Sequence, residues 1–249
     1  MIDIMLDRWF NGLLELIWPK VCIVCRKNLK NIASIDNIIC KECWGKIKRN
    51  LPPFCYSCGR HLESKDLSQH HCVDCRKRKF HFDRAFSPCV YEGVLKKLIH
   101  AFKYEGKDYL GKILSTLMID FIREYNLPIE EMDYLIPLPL HKTRLREREF
   151  NQAEILSRYL AKEFNKPILN NVLLRHRLSP SQTELDINKR WLNVQGSFSI
   201  DKTNYNYYIE NKNILLIDDV LTTGATSSAA AATLKAAGAK IVFVLTLAN

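Results

Sequence analysis

The sequence predicts an α/β protein with a mainly parallel sheet flanked by helices, preceded by a small metal-held domain. Residues 214–217 form an unbroken apolar run, which is typical of a strand buried on both faces of a parallel sheet. Two carboxylates, Asp218 and Asp219, follow this strand at once, and a loop of small residues and an Ala-rich helix follow them. Eight of the nine cysteines occur as Cys-x-x-Cys pairs, the spacing of metal ligands in a reducing compartment. We therefore expect a sheet domain and a metal-bound domain.

Length and composition set the outer limits. The chain has 249 residues, of which 47% are hydrophobic and 26% charged, so it can bury the core of one or two domains. It has no apolar run of about eighteen residues, the length that a membrane-spanning helix requires. Its N-terminus lacks the basic start and the long apolar run of a signal peptide. We expect a soluble, cytoplasmic protein.

The paired cysteines predict two structural zinc sites. The gap between the first and second pairs holds fourteen residues and that between the third and fourth holds thirteen, so one zinc-ribbon pattern is written twice. Four thiolates leave no position for a catalytic water, so each zinc is expected to stabilise the fold. We favour sites built from adjacent pairs, and a cross-braced arrangement is the alternative. The ligands are Cys22, Cys25, Cys40, Cys43, Cys55, Cys58, Cys72 and Cys75, whereas the unpaired Cys89 is interpreted as a small core residue.

Three domains are predicted along the chain. Residues 1–19 read as an amphipathic helix that ends at Pro19. Its polar face is acidic, whereas helices that lie on membranes are usually basic, so packing on the protein's own domains is favoured over membrane contact, the alternative. A double zinc ribbon is expected over residues 20–81 and the sheet domain over residues 82–249.

The net charge of +10 is concentrated around the cysteines. Residues 20–84 carry fifteen basic and six acidic side chains, with aromatic residues interleaved among the bases. Cations for phosphates and flat rings for bases are what a single-stranded nucleic acid requires. The alternative is a metal-held domain whose aromatic residues form its own core and whose lysines are only solvated. The basic run at the end of this segment is Arg76, Lys77, Arg78 and Lys79.

A second basic segment follows another predicted strand, residues 133–140. That strand ends in Pro137 and Leu138, and a helix start that includes Arg144 and Arg148 comes next. Bases are unfavourable at a helix N-terminus unless an anion binds there. We therefore expect this segment to face the acidic pair and to bind a pyrophosphate group. A solvated helix start is the alternative.

The segment after the acidic pair has the composition of an anion-binding loop. Small side chains allow backbone N–H groups to approach a phosphate, and Thr226 is the predicted N-cap of the Ala-rich helix. The two carboxylates suit the vicinal hydroxyls of an adjacent sugar, and a magnesium ion nearby would offset the negative charge. A plain strand-to-helix crossover is the alternative. The loop consists of Thr222, Thr223, Gly224, Ala225 and Thr226.

Residues 214–226 resemble the thirteen-residue signature of the type I phosphoribosyltransferases, which bind phosphoribosyl pyrophosphate (PRPP). With its cysteine pairs, nearly the whole chain resembles the ComF family, amidophosphoribosyltransferase-like proteins linked to natural competence and the use of external DNA. One departure is Glu149, where the family usually has glycine, and it concerns the shape of the local loop. The resemblance also rests on Phe102-Lys103-Tyr104, Pro137-Leu138-Pro139-Leu140-His141, Arg144-Leu145-Arg146, Phe150-Asn151-Gln152, Gln182, Arg190 and Asn193.

The resemblance implies a type I phosphoribosyltransferase fold preceded by a double zinc ribbon. It implies that Asp218 and Asp219 hold the ribose hydroxyls of PRPP, that the following loop holds the 5′-phosphate, and that magnesium binds with PRPP. It also implies a role in handling imported single-stranded DNA beside the competence or DNA-uptake machinery. The polar stretch 175–196 is predicted to be a lid or binding loop, and we assign the catalytic role to its Lys189 and Arg190.

Three functions fit these residues. The first is an accessory protein that binds PRPP and single-stranded DNA during DNA uptake. The second is an active phosphoribosyltransferase, a pentosyltransferase acting on a base or an amine in nucleotide metabolism, for which the sequence offers no acceptor-specific residues. The third is a zinc-ribbon regulator with a PRPP-sensing domain.

Overall fold

The computed structural model describes residues 19–63, 70–176, 196–201 and 209–249. The described residues form two compact units. The smaller comprises the described residues up to Lys48 together with Glu92–Leu98, and the larger comprises Arg49–Tyr91 and the described residues from Ile99 onward. The predicted N-terminal helix, Lys189 and Arg190 lie outside the described residues. The division into three domains stays a prediction.

The smaller unit is organised around a short hairpin. Strands β1, Ser34–Ile35, and β2, Ile39–Cys40, pair antiparallel, and helix α1, Lys41–Gly45, follows directly. Asp36 and Asn37 make the turn with positive φ angles of 48° and 55°, a conformation that Asn and Asp tolerate better than most residues. With so short a hairpin the unit has little apolar surface to bury, which suits a fold held by metal.

The larger unit contains a four-stranded sheet in the order β3-β8-β7-β4. Every neighbouring pair in it is parallel, which confirms the predicted α/β class. Strands β7 and β8 are consecutive parallel neighbours, and the Ala-rich helix that the sequence predicts after β7 joins them. The four strands are β3, Arg84–Phe86, β4, Tyr134–Pro137, β7, Asn213–Ile217, and β8, Ile241–Leu245.

A separate two-stranded sheet stands at the ends of the predicted lid. Strand β5, Leu173–Arg175, pairs antiparallel with β6, Phe198–Ile200. The first residue of the stretch predicted to be a lid is therefore part of a strand. Residues 177–195 of that stretch lie outside the described residues, whereas His176 and Gly196 are described.

The helices of the larger unit pack by their apolar faces. Helix α4, Leu110–Glu124, buries an apolar stripe that includes Leu114, Leu117 and Phe121. No helix among the described residues is long and apolar enough to cross a membrane. The remaining helices and α4 have these bounds: α2, Val73–Arg76; α3, Gly93–Tyr104; α4, Leu110–Glu124; α5, Lys142–Arg148; α6, Gln152–Phe164; and α7, Ala225–Ala236.

Sheet register sets the position of the site. Pro137 at the end of β4 lies opposite Ile217 at the end of β7, and the N–H of Leu138 donates to the carbonyl of Ile217 at 2.8 Å. Because parallel strands end at the same edge of a sheet, the loops after β4 and β7 are neighbours. The segment around Pro137 therefore lies beside the acidic pair.

Candidate functional site

The eight paired cysteines form two four-sulfur clusters in sequential pairing. In each cluster the sulfur atoms all lie within 4.8 Å of one another. The favoured pairing is thus confirmed, and the cross-braced alternative is wrong. One cluster is in each compact unit. Cluster 1 consists of Cys22, Cys25, Cys40 and Cys43, and cluster 2 of Cys55, Cys58, Cys72 and Cys75.

The geometry of both clusters fits zinc. The Sγ atoms of Cys25 and Cys40 are 3.8 Å apart, as are those of Cys58 and Cys72. Two sulfur ligands about 2.3 Å from a tetrahedral zinc would be separated by roughly 3.8 Å. Backbone N–H groups also point at the sulfurs, for example from Cys72 to Cys55 at 3.3 Å, which favours thiolates. The two clusters are therefore structural zinc sites, as the spacing predicted.

The acidic pair lies directly after β7, at the carboxyl edge of the sheet. The N–H of Asp219 donates to Oδ1 of Asp218 at 2.8 Å, while Nζ of Lys103, in the last turn of α3, lies 2.7 Å from Oδ1 of Asp219. The backbone is fixed as well, because the N–H of Asp218 donates to Leu245 in β8 at 3.1 Å. In these contacts each carboxylate uses one of its two oxygens.

The two carboxylates differ in their electrostatic surroundings. Burial, together with the neighbouring charge of Asp219, raises the pKa of Asp218 to about 7. Burial on its own lowers the pKa of Lys103, but the attraction of Asp219 and Asp218 outweighs it, so the pKa of Lys103 is raised above its ordinary value. Lys103 is therefore a permanent cation beside Asp219, and Asp218 changes charge near neutral pH.

Residues 150–152 hold the surrounding elements together. The side chain of Asn151 accepts from Ala153 N–H at the start of α6 and donates to the carbonyl of Leu138 at 3.1 Å. Gln152 is buried and donates to the carbonyl of Phe102 at 3.3 Å. The motif thus fastens the loop after β4 and the end of α3, the helix that carries Lys103.

Arg148, at the end of α5, points toward the end of α3. Its guanidinium donates to Gln152 at 3.1 Å and to the hydroxyl of Tyr104 at 3.3 Å, and it lies 5.1 Å from the centre of the Tyr104 ring. Nε of Arg148 is buried and has no hydrogen-bond partner among the described residues. Arg144, by contrast, is paired with Glu147 at 2.8 Å.

Arg175 is a further cation near Arg144 and Arg148, and no role was predicted for it from the sequence. Burial is the main cause that lowers the pKa of Arg175, the charges of Arg148 and Arg144 lower it further, and Asp218 acts in the opposite direction. Arg175 is therefore close enough to Asp218, Arg148 and Arg144 for their charges to act on it. The sequence predictions also did not include Lys103 among the site residues. Two features of the sequence could have indicated it: its place in the Phe102-Lys103-Tyr104 motif, and its position as a lysine near the end of an amphipathic helix.

The small-residue loop reaches the start of α7 through Gly224, whose φ is 75°. Gly224 is the N-cap, so the prediction that Thr226 caps this helix is wrong. The hydroxyl of Thr223 accepts a hydrogen bond from the N–H of Ala225, the first residue of the helix, at 3.4 Å. A Cβ on Gly224 would lie only 2.6 Å from the ring of Phe80. Glycine is required here because the backbone is left-handed and an aromatic ring occupies the space.

A pocket of about 350 Å³ lies between this loop and cluster 2, all within the larger unit. One wall is formed by Val220, Leu221 and the first half of the loop. The opposite wall comes from the second zinc ribbon. The lining comprises Cys58, Arg60, Cys72, Asp74, Cys75, Arg78, Phe80, Tyr91, Val220, Leu221, Thr222, Thr223, Gly224 and Asn249.

Glu149, where the family usually has glycine, adopts a backbone conformation that glycine favours. Glu149 ends α5 with a φ of 67°, and its N–H donates to the carbonyl of Leu145 at 2.8 Å. This is the left-handed C-terminal position that glycine favours. Helix α5 therefore still ends before α6 begins, but the left-handed conformation is less favourable for glutamate than for glycine.

Comparison with known proteins identifies a matching family and several relatives of this chain. The double zinc ribbon domain family matches residues 13–76. The chain is 31% identical over 234 residues to Competence protein F of Haemophilus influenzae, covering 92% of this chain and 96% of the relative, and 27% identical over 223 residues to Competence protein ComFC of Bacillus subtilis, covering 83% and 85%. The structure of glutamine PRPP amidotransferase from B. subtilis with ADP and GMP aligns with a TM-score of 0.33 at 20% identity, covering 57% of this chain and 26% of that one. Identity of 31% across nearly the full length of both chains shows that this protein belongs to the ComF family, and in this chain a double zinc ribbon precedes a parallel α/β domain.

Proposed function

We propose that the carboxyl edge of the sheet binds PRPP together with magnesium. The observation that carries the proposal is the acidic pair itself, which lies between a cationic side and a loop that opens a helix. The oxygens of Asp218 and Asp219 that remain outside the contacts described above suit the ribose hydroxyls. The backbone of residues 222–226, at the N-terminus of α7, suits the 5′-phosphate.

The pyrophosphate is assigned to the loop after β4 and the arginines beyond it. Pro137 and Leu138 lie next to the acidic pair, and the buried Nε of Arg148 is a donor that an anionic oxygen would satisfy. Arg175, on whose pKa the charges of Arg144 and Arg148 act, adds positive charge to the same region. Magnesium, when bound with PRPP, offsets the pyrophosphate charge close to the carboxylates.

Calorimetric titration of the full chain with PRPP in the presence of magnesium tests the proposal. Asp218→Asn removes a charged acceptor and keeps the shape, and a hydrogen bond to a charged group contributes about 1.5–3 kcal/mol, so roughly a tenfold to hundredfold loss of affinity is expected. Changing both aspartates to asparagine should nearly abolish binding. Asp120→Asn, on an exposed position of α4, is the matched control and should bind as the unaltered protein does. Equal binding by the double variant would refute the proposal.

We further propose that the second zinc ribbon carries a surface for single-stranded DNA. Tyr56 is 51% exposed, and its ring stacks on His70 with centroids 4.7 Å apart. The guanidinium of Arg84 lies 5.3 Å from the same ring. An exposed, supported ring beside a cation is what a nucleic-acid base stacks on. Arg76 and Lys79 are also exposed and can contact phosphates.

These two activities together support a role in natural competence, the handling of imported DNA in the cytoplasm beside the DNA-uptake machinery. Two relatives of the chain are named competence proteins, which supports the same role. Catalysis of phosphoribosyl transfer to a base or an amine is the second candidate, favoured by the set of groups for ribose, phosphate and pyrophosphate at one edge. Lys189 and Arg190 keep their predicted catalytic role in that case. Release of pyrophosphate from PRPP, measured across bases, ammonia and DNA, distinguishes a transferase from a binding protein.

A further inference from the structure

The pocket between the loop and cluster 2 raises the question of where the charge of a bound 5′-phosphate is neutralised. Residues 218–226 contain no basic side chain. Lys103 is committed to Asp219, and Arg148 is tied to Tyr104 and Gln152 on the side of the loop after β4. The backbone N–H groups of the small-residue loop would bind the phosphate, and a cation from another element would strengthen that binding.

Among the described residues, the pocket lining contains two cations, both from the second zinc ribbon. Arg60 is one, and it lies 3.4 Å from Asp74 of the same ribbon. Arg78 is the other, and it lines the same pocket as Thr222, Thr223 and Gly224. Its surroundings also differ from those of its neighbours in the basic run, because Arg78 is half-buried whereas Arg76, Lys77 and Lys79 are exposed.

The segment that carries Arg78 is fastened at both ends. At one end the N–H of Arg78 donates to the carbonyl of Cys75, a ligand of cluster 2, at 3.4 Å. At the other end the N–H of His81 donates to the Ser228 hydroxyl in α7 at 3.0 Å, and Phe80 fills the space beside Gly224. Residues 78–81 are thus held between cluster 2 and helix α7. A segment fixed at both ends keeps its backbone in a constant position relative to the small-residue loop.

We propose that Arg78 is a phosphate-binding residue of the PRPP site, that it contacts the 5′-phosphate from the zinc-ribbon side, and that the second zinc holds it in position. The proposal rests on the proposed function, because it names a residue of the same PRPP site. It separates Arg78 from the DNA-facing cations of the same run. It also gives cluster 2 a part in ligand binding that cluster 1 does not have.

Titration calorimetry with three probes tests the proposal: PRPP with magnesium, ribose 5-phosphate, and pyrophosphate with magnesium. Arg78→Gln should weaken PRPP and ribose 5-phosphate by roughly tenfold to hundredfold, the effect of losing one charged hydrogen bond. Pyrophosphate, which lacks the 5′-phosphate, should bind unchanged. Arg78→Lys keeps the charge without the guanidinium fork and should fall between the two. Arg26→Gln, the same change directly after Cys25 of cluster 1, is the matched control and should bind all three probes as the unaltered protein does.

Zinc content and the melting temperature without ligand, measured on every variant, separate a lost contact from a lost fold. If the unaltered protein binds no PRPP, the proposed function fails and this inference fails with it. If the unaltered protein binds PRPP and Arg78→Gln binds it equally well, only the inference is overturned. A loss that falls on pyrophosphate instead of ribose 5-phosphate overturns it too, because Arg78 would then act at the other end of the ligand.

Discussion

Nζ of Lys103 lies 2.7 Å from Oδ1 of Asp219, and both side chains are largely buried, at 15% and 10% exposure. The pair joins the last turn of α3 to the end of β7, two elements that are distant in the chain. Each charge compensates the other in a place where an isolated charge would be unfavourable. Asp219 is therefore oriented before any ligand arrives, and Asp218, which has no lysine at ion-pair distance among the described residues, is the carboxylate whose charge is the more easily changed.

Breaking this ion pair should destabilise the larger unit. Lys103→Met leaves Asp219 buried without its cation, and roughly 3 kcal/mol of unfolding free energy should be lost. Adding Asp219→Asn to that variant should recover a substantial part. Denaturant unfolding of the two single variants and the double variant gives the coupling energy. Additive effects would show that the two side chains do not interact.

Stability without ligand should fall as pH rises from about 4 to about 7 through the contribution of Asp218. The pKa of Asp218 is raised from 3.8 to about 7 in the folded protein. Between these values the folded state binds more protons than the unfolded state, so the free energy of unfolding decreases with pH. Asp218→Asn should remove this part of the dependence and increase stability at about pH 8. Denaturant midpoints that depend on pH equally in both proteins would contradict the prediction.

Loss of zinc from cluster 1 and from cluster 2 should affect the stability of the larger unit to different extents. Elemental analysis of protein purified without chelators should find about two zinc ions per chain, and one after either Cys22→Ser or Cys72→Ser. Because cluster 2 shares a compact unit with the sheet, Cys72→Ser should lower the melting temperature of the larger unit more than Cys22→Ser does. Zinc near zero in the unaltered protein would refute both zinc sites.

Single-stranded DNA binding should depend on the Tyr56 surface. Tyr56→Ala removes the exposed ring, and stacking contributes about 1–3 kcal/mol per base, so at least a severalfold loss is expected. Changing Arg76 and Lys79 to alanine should lower the affinity and flatten its salt dependence, because fewer counterions are released. Fluorescence anisotropy with a labelled oligothymidine at several salt concentrations measures both effects. An unchanged affinity and slope would move the surface to another part of the chain.

Gly224 should tolerate no side chain while Phe80 is present. Gly224→Ala places a Cβ 2.6 Å from the Phe80 ring at a residue with a φ of 75°, and a loss of roughly 1–3 kcal/mol is expected from the overlap and the backbone strain. Phe80→Ala in the same chain should relieve the overlap and leave the strain. Thermal unfolding of the single and double variants checks this. An equal loss in both would assign the whole effect to the backbone.

Sequence alone determined the features that depend on neighbouring residues. Four Cys-x-x-Cys pairs are enough to predict eight zinc ligands, because each knuckle is a local turn. An apolar run followed by two acids and small residues is enough to predict a buried strand, its carboxyl end and the helix beyond. The strand predicted over residues 133–140 is present for the same reason, although β4 is shorter than its apolar pattern suggested.

Tertiary structure decided which groups meet across the chain. Asp218 and Asp219 look equivalent in the sequence, yet only Asp219 lies against Lys103, because α3 ends beside β7. The pairing of the cysteine knuckles, the half-burial of Arg78 within a basic run, and the fit of Phe80 beside Gly224 were likewise decided by packing. These contacts form because the strand order of the sheet and the zinc site of the second ribbon bring distant parts of the chain together. The physical reason is that burial and charge compensation act between residues brought together in space, and no local pattern in the chain records those distances.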